Sequence, residues 1–445
     1  MRYLISGYYG EGNAGDEAIL AGMLRVLRER DSDAVCTVLS FDPDDTRRRH
    51  GVPSLGTSLR EPGALVAAMR SADVLLSGGG SFLHEADFTV HGRSFLLREG
   101  KLRPIPYFLS VVLLARAVGL PVMWYAQGLG PLHTSAARRL VAVAGSASQV
   151  VTWRDVESAR LAAEVGVRGP VQLVVPDPAY VLGGSVHGPA AVAGRAAGTS
   201  TTGAAPGIGA VPTIGAAPTT AAPPYVAVCL RPWLERTAYR EQVAVALGRL
   251  LAADVLPADT RVRLLPFQER LDRPLSEALA AHPALAGRAD VVSAEGDSAA
   301  LVSQLGGALF AVTMRLHAGI LAAAAGTPAA VIDYDPKVRA FAGQTGQTAF
   351  TVTADHLETT SGGERLLAAV LATARDLDVR RRDLRRRVAP LVAETGHTAA
   401  LAVQLATHGG VPGLVEARAV SRPRRRSLAE RGGRTPGGLV ELNED

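Results

Sequence analysis

The chain has 445 residues, 47% of them apolar and 20% charged, a length that allows two or three domains and a composition that rules out global disorder. Aromatic residues make up 5%, which argues against a surface that stacks nucleic-acid bases. Two cysteines, Cys36 and Cys229, exclude a disulfide scaffold and a cysteine-rich zinc site and fit a reducing, cytoplasmic setting. The net charge of +5 is local: Arg375–Arg387 holds seven Arg and three Asp, Glu416–Asp445 holds seven Arg and five acids, and the rest is close to neutral. Each basic run by itself reads as a solvated helix face or tail, and a basic stripe near the C-terminus can also touch anionic lipid headgroups or nucleic acid.

Met1 leads straight into the strand-like Tyr3–Ser6, too short for a signal-peptide core, so no targeting segment is expected. Further short apolar runs at Val35–Phe41, Val74–Ser77, Val122–Ala126 and Val150–Thr152 predict strands. Helical patterns lie between and after them, at Ala14–Glu29, Gly63–Arg70, Pro106–Val118, Ser135–Ala144 and Asp155–Val165. The stretch Ile105–Ala126 is broken by Arg116, Gly119 and Pro121 and reads as helix, turn and strand, not as a membrane span. Gly183–Pro224 contains one charged residue, Arg195, and no aromatic, and predicts a flexible insertion.

A second alternating block follows. Strands are expected at Tyr225–Leu230, Val262–Leu265, Asp290–Val292, Ala308–Thr313 and Ala329–Ile332. Helices are expected at Tyr239–Ala252, Glu269–Ala281, Ser298–Gln304, Leu316–Ala325 and Pro336–Ala342, with closing helices at Leu366–Leu377 and Leu384–Leu405. The fold class is therefore α/β, with two Rossmann-like doubly wound domains over residues 1–182 and 225–408 facing across a cleft. The insertion 183–224 lies between them, and a disordered basic tail covers 409–445.

Candidate functional residues cluster at expected strand ends. Gly10, Gly12 and Gly15 satisfy G-x-G-x-x-G after the first strand, and Asp42 ends the second, the pattern of an NAD site. Asp16 and Glu17 in the first helical turn oppose that reading, because they place negative charge where a pyrophosphate would sit. The same loop can instead bind or deprotonate an acceptor alcohol through Asn13, Asp16 or Glu17, or it is a capped helix after a glycine turn. Ser77–Phe82 carries three glycines that admit close backbone approach, with Ser81 placed to cap a helix. Gln127 sits at a strand end suited to hydrogen bonding a sugar. Arg154, at another strand end, can grip a carboxylate or phosphate or pair with Asp155 or Glu157. Arg315 and His317 emerge where a strand meets a helix, and Lys337 opens the helix after the neighbouring strand. The three are expected to share one cationic pocket. Only two of the 47 basic residues are lysines, Lys101 and Lys337, which singles out Lys337 as a position needing a compact ammonium.

The stretches Gly7–Ala18, Gly78–Leu83, Gln127–Pro131, Trp153–Ser158, Asp177–Tyr180 and Arg315–Lys337 together resemble the polysaccharide pyruvyl transferase family, closest to its CsaB-type branch for bacterial cell-wall polysaccharides. The resemblance implies a fold like that of two-domain GT-B glycosyltransferases. It also implies a reaction in which phosphoenolpyruvate donates a pyruvyl group to a sugar as a cyclic ketal with release of phosphate. It further implies an N-acetylmannosamine acceptor on a lipid carrier, in the service of S-layer anchoring through S-layer homology domains. Carried over by motif, Arg154, Arg315 and Lys337 bind the donor and His317 and Arg315 are catalytic. Asn13, Asp16, Glu17 and Gln127 are expected on the acceptor side. No metal cluster is evident and no cofactor beyond the co-substrate is expected; nor is a nucleic-acid partner. A cytoplasmic enzyme in peripheral contact with the inner membrane face fits a lipid-linked acceptor. Two other readings stand beside this one: a GT-B nucleotide-sugar glycosyltransferase and an NAD-dependent oxidoreductase.

Overall fold

In the computed structural model, which describes residues 1–57, 62–85, 97–98, 101–102, 104–185, 223–233 and 236–410, strands and helices alternate twice over. The first block runs β1 (Arg2–Ser6), α1 (Ala14–Arg30), β2 (Val35–Ser40), α2 (Pro43–His50), β3 (Ser54–Gly56), α3 (Pro62–Ser71) and β4 (Val74–Leu83). A short antiparallel pair, β5 (Leu97–Arg98) and β6 (Lys101–Leu102), precedes α4 (Pro104–Ala117), β7 (Val122–Leu129), α5 (Ser135–Ala147), β8 (Val150–Trp153), α6 (Val156–Val165) and β9 (Val171–Val174). The large sheet is parallel, in the order β3-β2-β1-β4-β7-β8-β9.

The second block is β10 (Tyr225–Cys229), α7 (Ala238–Ala252), β11 (Arg261–Leu264), α8 (Glu269–Ala280), β12 (Ala289–Val291), α9 (Ser298–Gly306), β13 (Ala311–Thr313), α10 (Leu316–Ala324), β14 (Ala329–Asp333), α11 (Pro336–Gln344) and β15 (Thr351–Thr353). It closes with α12 (Thr360–Ala374) and α13 (Leu377–His408). Its sheet is also parallel, in the order β12-β11-β10-β13-β14-β15. In both sheets the strand order reverses beside the first strand, which opens a crevice at the carboxyl ends of the strands.

The strands are buried along their whole length where helices cover both faces. Val122–Leu129 has no exposed residue, as a doubly covered parallel strand requires. α1 is capped by Asn13, carries Asp16 and Glu17 in its first turn and Arg28 and Arg30 in its last, and so suits the helix dipole at both ends. Two strands run further than their apolar patterns suggest. β4 continues through Gly78, Gly79 and Gly80, whose φ values of 138°, 74° and 145° are open to glycine, with Gly80 opposite Gln127. Gln127 is therefore inside β7, past a kink at Ala126 (φ 45°), and Ser81 caps no helix.

The two lobes share an apolar seam. Ala14 and Ala18 of α1, with Ala179 and Tyr180 of the 3₁₀ turn Pro178–Ser185, pack with Phe267, Leu316 and Phe341 of the second lobe. α13 leaves the second lobe and packs on α1, so the closing helix belongs to both lobes. Gly183, expected to open a flexible insertion, is buried against Ala324. The remainder of that expected insertion, from residue 186 to 222, and the tail from 411 onward lie outside the described residues. Both cysteines are buried and free.

Candidate active site

Four side chains from four elements meet where the lobes touch. His317, in the first turn of α10, lies against the start of α1. A Cβ on Gly15 would stand 2.8 Å from His317 Cγ and closer still to Nδ1, so only glycine lets the ring approach. His317 Nε2 lies 3.3 Å from Asp177 Oδ2, just after β9. Arg154, at the end of β8, places Nη1 3.5 Å from the same oxygen and donates from Nη2 to Ser81 Oγ. Its side chain is 5% exposed, and Nη1 is buried without a hydrogen-bond partner. Asp177 also accepts from the Ala179 amide at 2.9 Å. Burial alone would raise its pKa, but His317 and Arg154 outweigh that and hold the carboxyl below its ordinary range.

Asp16 faces the opposite electrostatic balance. Burial, and then the charge of Glu17, push its carboxyl up to about 8, against a smaller opposing pull from Arg154 and the Asn13 hydrogen bond. Asn13 Nδ2 donates to Asp16 Oδ2 at 2.6 Å, and a Cβ on Gly80 would stand 3.1 Å from Asp16 Oδ1. Asp16 is thus a buried carboxyl poised to exchange a proton near neutral pH.

A cleft of about 330 Å³ adjoins this cluster, lined by Arg154, Asp177, Tyr180, Lys337, Phe341 and Gln344 among others. Lys337 Nζ stands 3.2 Å from Asp335 Oδ2 and 5.9 Å from the centre of the Tyr334 ring. Arg231, which the sequence reading passed over, donates to the same tyrosine hydroxyl at 3.0 Å, so two cations converge on one ring.

The expected single pocket for Arg315, His317 and Lys337 is redistributed. Lys337 lines the cleft, and His317 reaches its edge through Asp177. Arg315, the cap residue of α10, turns to the buried Asp272 of α8 and does not line the cleft. Among the acceptor-side candidates, Asn13 orients Asp16. Glu17 is fully engaged, Oε1 accepting from the Gly10 amide at 2.8 Å and Oε2 lying 2.7 Å from His50 Nε2. Gln127 donates to the carbonyls of Gly80 and Gly128 at 3.1 and 2.7 Å and braces the glycine strand. Asp177 was visible only as part of an Asp-Pro-Ala-Tyr stretch.

The geometry also engages parts of the glycine motif that a dinucleotide would use. The Gly10 amide is taken by Glu17, and a Cβ there would come within 2.5 Å of the Asp42 amide nitrogen. Gly15 makes room for His317, and the Asp42 side chain caps α2 by accepting from the Asp45 amide at 2.9 Å. Gly10 and Gly15 thus serve packing, and their amides are taken by Glu17 and Asn13, away from any pyrophosphate.

The sequence profile of the polysaccharide pyruvyl transferase family matches residues 13–336. No curated protein matches the sequence significantly. Among solved structures, the chain is similar to a UDP-N-acetylglucosamine 2-epimerase, described as putative, from Listeria monocytogenes. That likeness has a TM-score of 0.57 and 11% identity, over 92% of this chain and 97% of that one. The S. aureus MnaA–UDP co-structure gives 0.53 and 11% over 91% and 96%, and a glycosyltransferase from Rickettsia africae gives 0.51 and 8% over 92% and 99%. At these identities the likeness establishes the two-domain GT-B-like α/β fold.

Proposed function

Because the chain belongs to the polysaccharide pyruvyl transferase family, we propose that it moves a pyruvyl group from phosphoenolpyruvate onto two hydroxyls of an amino sugar. In this reading the sugar is N-acetylmannosamine in a lipid-linked cell-wall precursor, and the pyruvylated product serves S-layer anchoring. One observation carries it: two cations, Arg154 and Lys337, line one cleft, and Arg154 presents a buried Nη1 without a hydrogen bond beside the His317–Asp177 pair and a high-pKa Asp16. A small, densely anionic donor is the ligand such a site suits.

The roles follow from chemistry. Arg154 and Lys337 hold the donor's carboxylate and phosphate and stabilise phosphate as it leaves. His317, held by Asp177, gives a proton to the methylene carbon, which becomes a methyl group and leaves C2 electron-poor; an imidazole is the side chain that exchanges protons near neutral pH. The first sugar hydroxyl adds to C2 and passes its proton to ionised Asp16, a stronger base than an ordinary carboxylate. The second hydroxyl then bonds to C2 as the C2–O bond to phosphate breaks, and its proton leaves with phosphate. One hydroxyl proton thus replaces the one spent on the methyl group, and the other departs with the leaving group.

The test incubates the protein with phosphoenolpyruvate and an aryl N-acetylmannosaminide. Phosphate release that depends on acceptor, with a new ketal methyl signal by NMR, is expected. No release with any amino-sugar acceptor from folded protein would overturn the reading, and stabilisation by UDP-sugars but not by phosphoenolpyruvate would favour a nucleotide-sugar transferase. His317→Ala is expected to lose about 100-fold or more in turnover, and Lys337→Ala to raise the donor KM about tenfold.

A further inference from the structure

Arg315 stands outside the cleft, and its partner accounts for that. Arg315 Nη2 donates to Asp272 Oδ1, and Asp272 has no solvent exposure. Asp272 Oδ2 accepts from the Phe267 and Gln268 amides at 3.1 and 2.9 Å. The carbonyl of the same Phe267 accepts from the Ala14 amide at 2.8 Å, and Gln268 forms a backbone bridge with Asn13. Asn13 is the cap of α1 and its side chain holds Asp16. The path closes on itself, because Arg315 is the cap of α10 and His317 in that helix lies against Gly15 of α1.

We propose that Asp272 is a positioning residue: paired with Arg315, it fixes the Phe267–Gln268 strap that docks the start of α1 on the second lobe, and so sets the first turn of α1, which carries Gly15 and Asp16, against α10, where His317 meets Gly15. The consequence for turnover rests on the transferase reading; the docking itself does not. A buried carboxylate that accepts two amides and one guanidinium has no slack, and loss of its charge frees the strap. An ion pair that served stability alone would lower the melting temperature and leave the properly folded fraction with normal turnover. A positioning pair lowers kcat while the donor KM stays put, since neither residue lines the cleft.

The experiment compares full-length wild type, Asp272→Asn, Arg315→Gln, Arg315→Lys and the Asp272→Asn/Arg315→Gln double variant. It reads kcat, donor KM and amide hydrogen exchange over residues 13–17. Each neutral single variant is expected to lose about tenfold or more in kcat, with donor KM within about twofold, and the double variant to lose no more than the worse single, as residues acting in one unit do. Arg315→Lys, which keeps a cation for Asp272, is expected to recover part of the loss. Exchange at the Ala14 amide is expected to quicken about tenfold in the neutral variants. Unchanged kcat in folded Asp272→Asn overturns the proposal, as does a rise in donor KM alone. Should Asp272→Asn not fold, Arg315→Gln carries the same expectations. Should wild type turn over no phosphoenolpyruvate, the transferase reading falls, and exchange at Ala14 still decides whether the strap exists: no change in the variants overturns it.

Discussion

Two carboxyl groups in one site are driven apart by their neighbours. Asp177 sits between a histidine and an arginine and is held low, whereas Asp16 is fully buried beside a second acid and is pushed up to about 8. A folded-state value so far above the ordinary carboxylate range of about 4 costs stability at high pH. Between about pH 4 and pH 8 the unfolded chain has lost this proton and the folded one keeps it, so the contribution of Asp16 to stability falls as pH rises. Asp16→Asn mimics the protonated form and is expected to gain on wild type across that window, by up to ~1.4 kcal/mol per pH unit. Urea unfolding from pH 5 to 9 measures the gap; a gap that does not widen would show that Asp16 ionises as an ordinary acid.

The helix start is the element on which the site turns. α1 is legible in sequence from its Asn cap, its early acids and its late arginines, and it forms as Ala14–Arg30 against an expected Ala14–Glu29. The use of its first turn was not legible. Gly15 read as the last member of a phosphate-loop pattern, and the structure gives it to the neighbouring His317 ring. Gly15→Ala is expected to push that ring away from α1, lowering kcat about tenfold or more and destabilising the fold by about 1–3 kcal/mol, the range for overpacking a tight contact. Kinetics together with thermal unfolding check both, and near-normal kcat would show that the ring has room to move. The glycine-rich β4 teaches the same point. Three glycines suggest a turn, but β1 pairs with β4 as far as Ser77 and β7 carries the pairing on through Gly78 and Gly80 to Leu83.

At the scale of the whole molecule, α13 ties the lobes together and spends part of the basic run that the sequence singled out. Arg381 donates to the carbonyls of Ala308 and Leu309 and Arg380 stacks on Phe350, whereas Arg386 stays on the surface beside Asp383. Among the described residues no helix is long and apolar enough to cross a membrane. If a lipid-linked acceptor brings the enzyme to an anionic surface, the exposed Arg382 and its neighbours Arg385–Arg387 are the side chains left to meet it. Full-length protein is therefore expected to sediment with vesicles rich in phosphatidylglycerol and to lose about half of that binding or more in Arg382→Ser/Arg385→Ser/Arg386→Ser. Binding unaffected by the triple change would place the contact elsewhere.

The alternation of apolar runs with helical periods determined two parallel sheets with helices on both faces, because burial on two sides demands continuous apolar strands and right-handed crossovers demand helices between them. The sequence also determined which strand ends carry cations, since Arg154, His317 and Lys337 each follow a strand. It did not determine which of them face one another. That depends on how two lobes dock, through contacts such as Phe267 with Ala14 and Asp177 with His317 that join residues more than a hundred positions apart. No local period or propensity encodes such a pairing. Only the tertiary structure could turn Arg315 toward Asp272, occupy Glu17 with Gly10 and His50, and leave Asp16 as the carboxyl whose surroundings favour its proton.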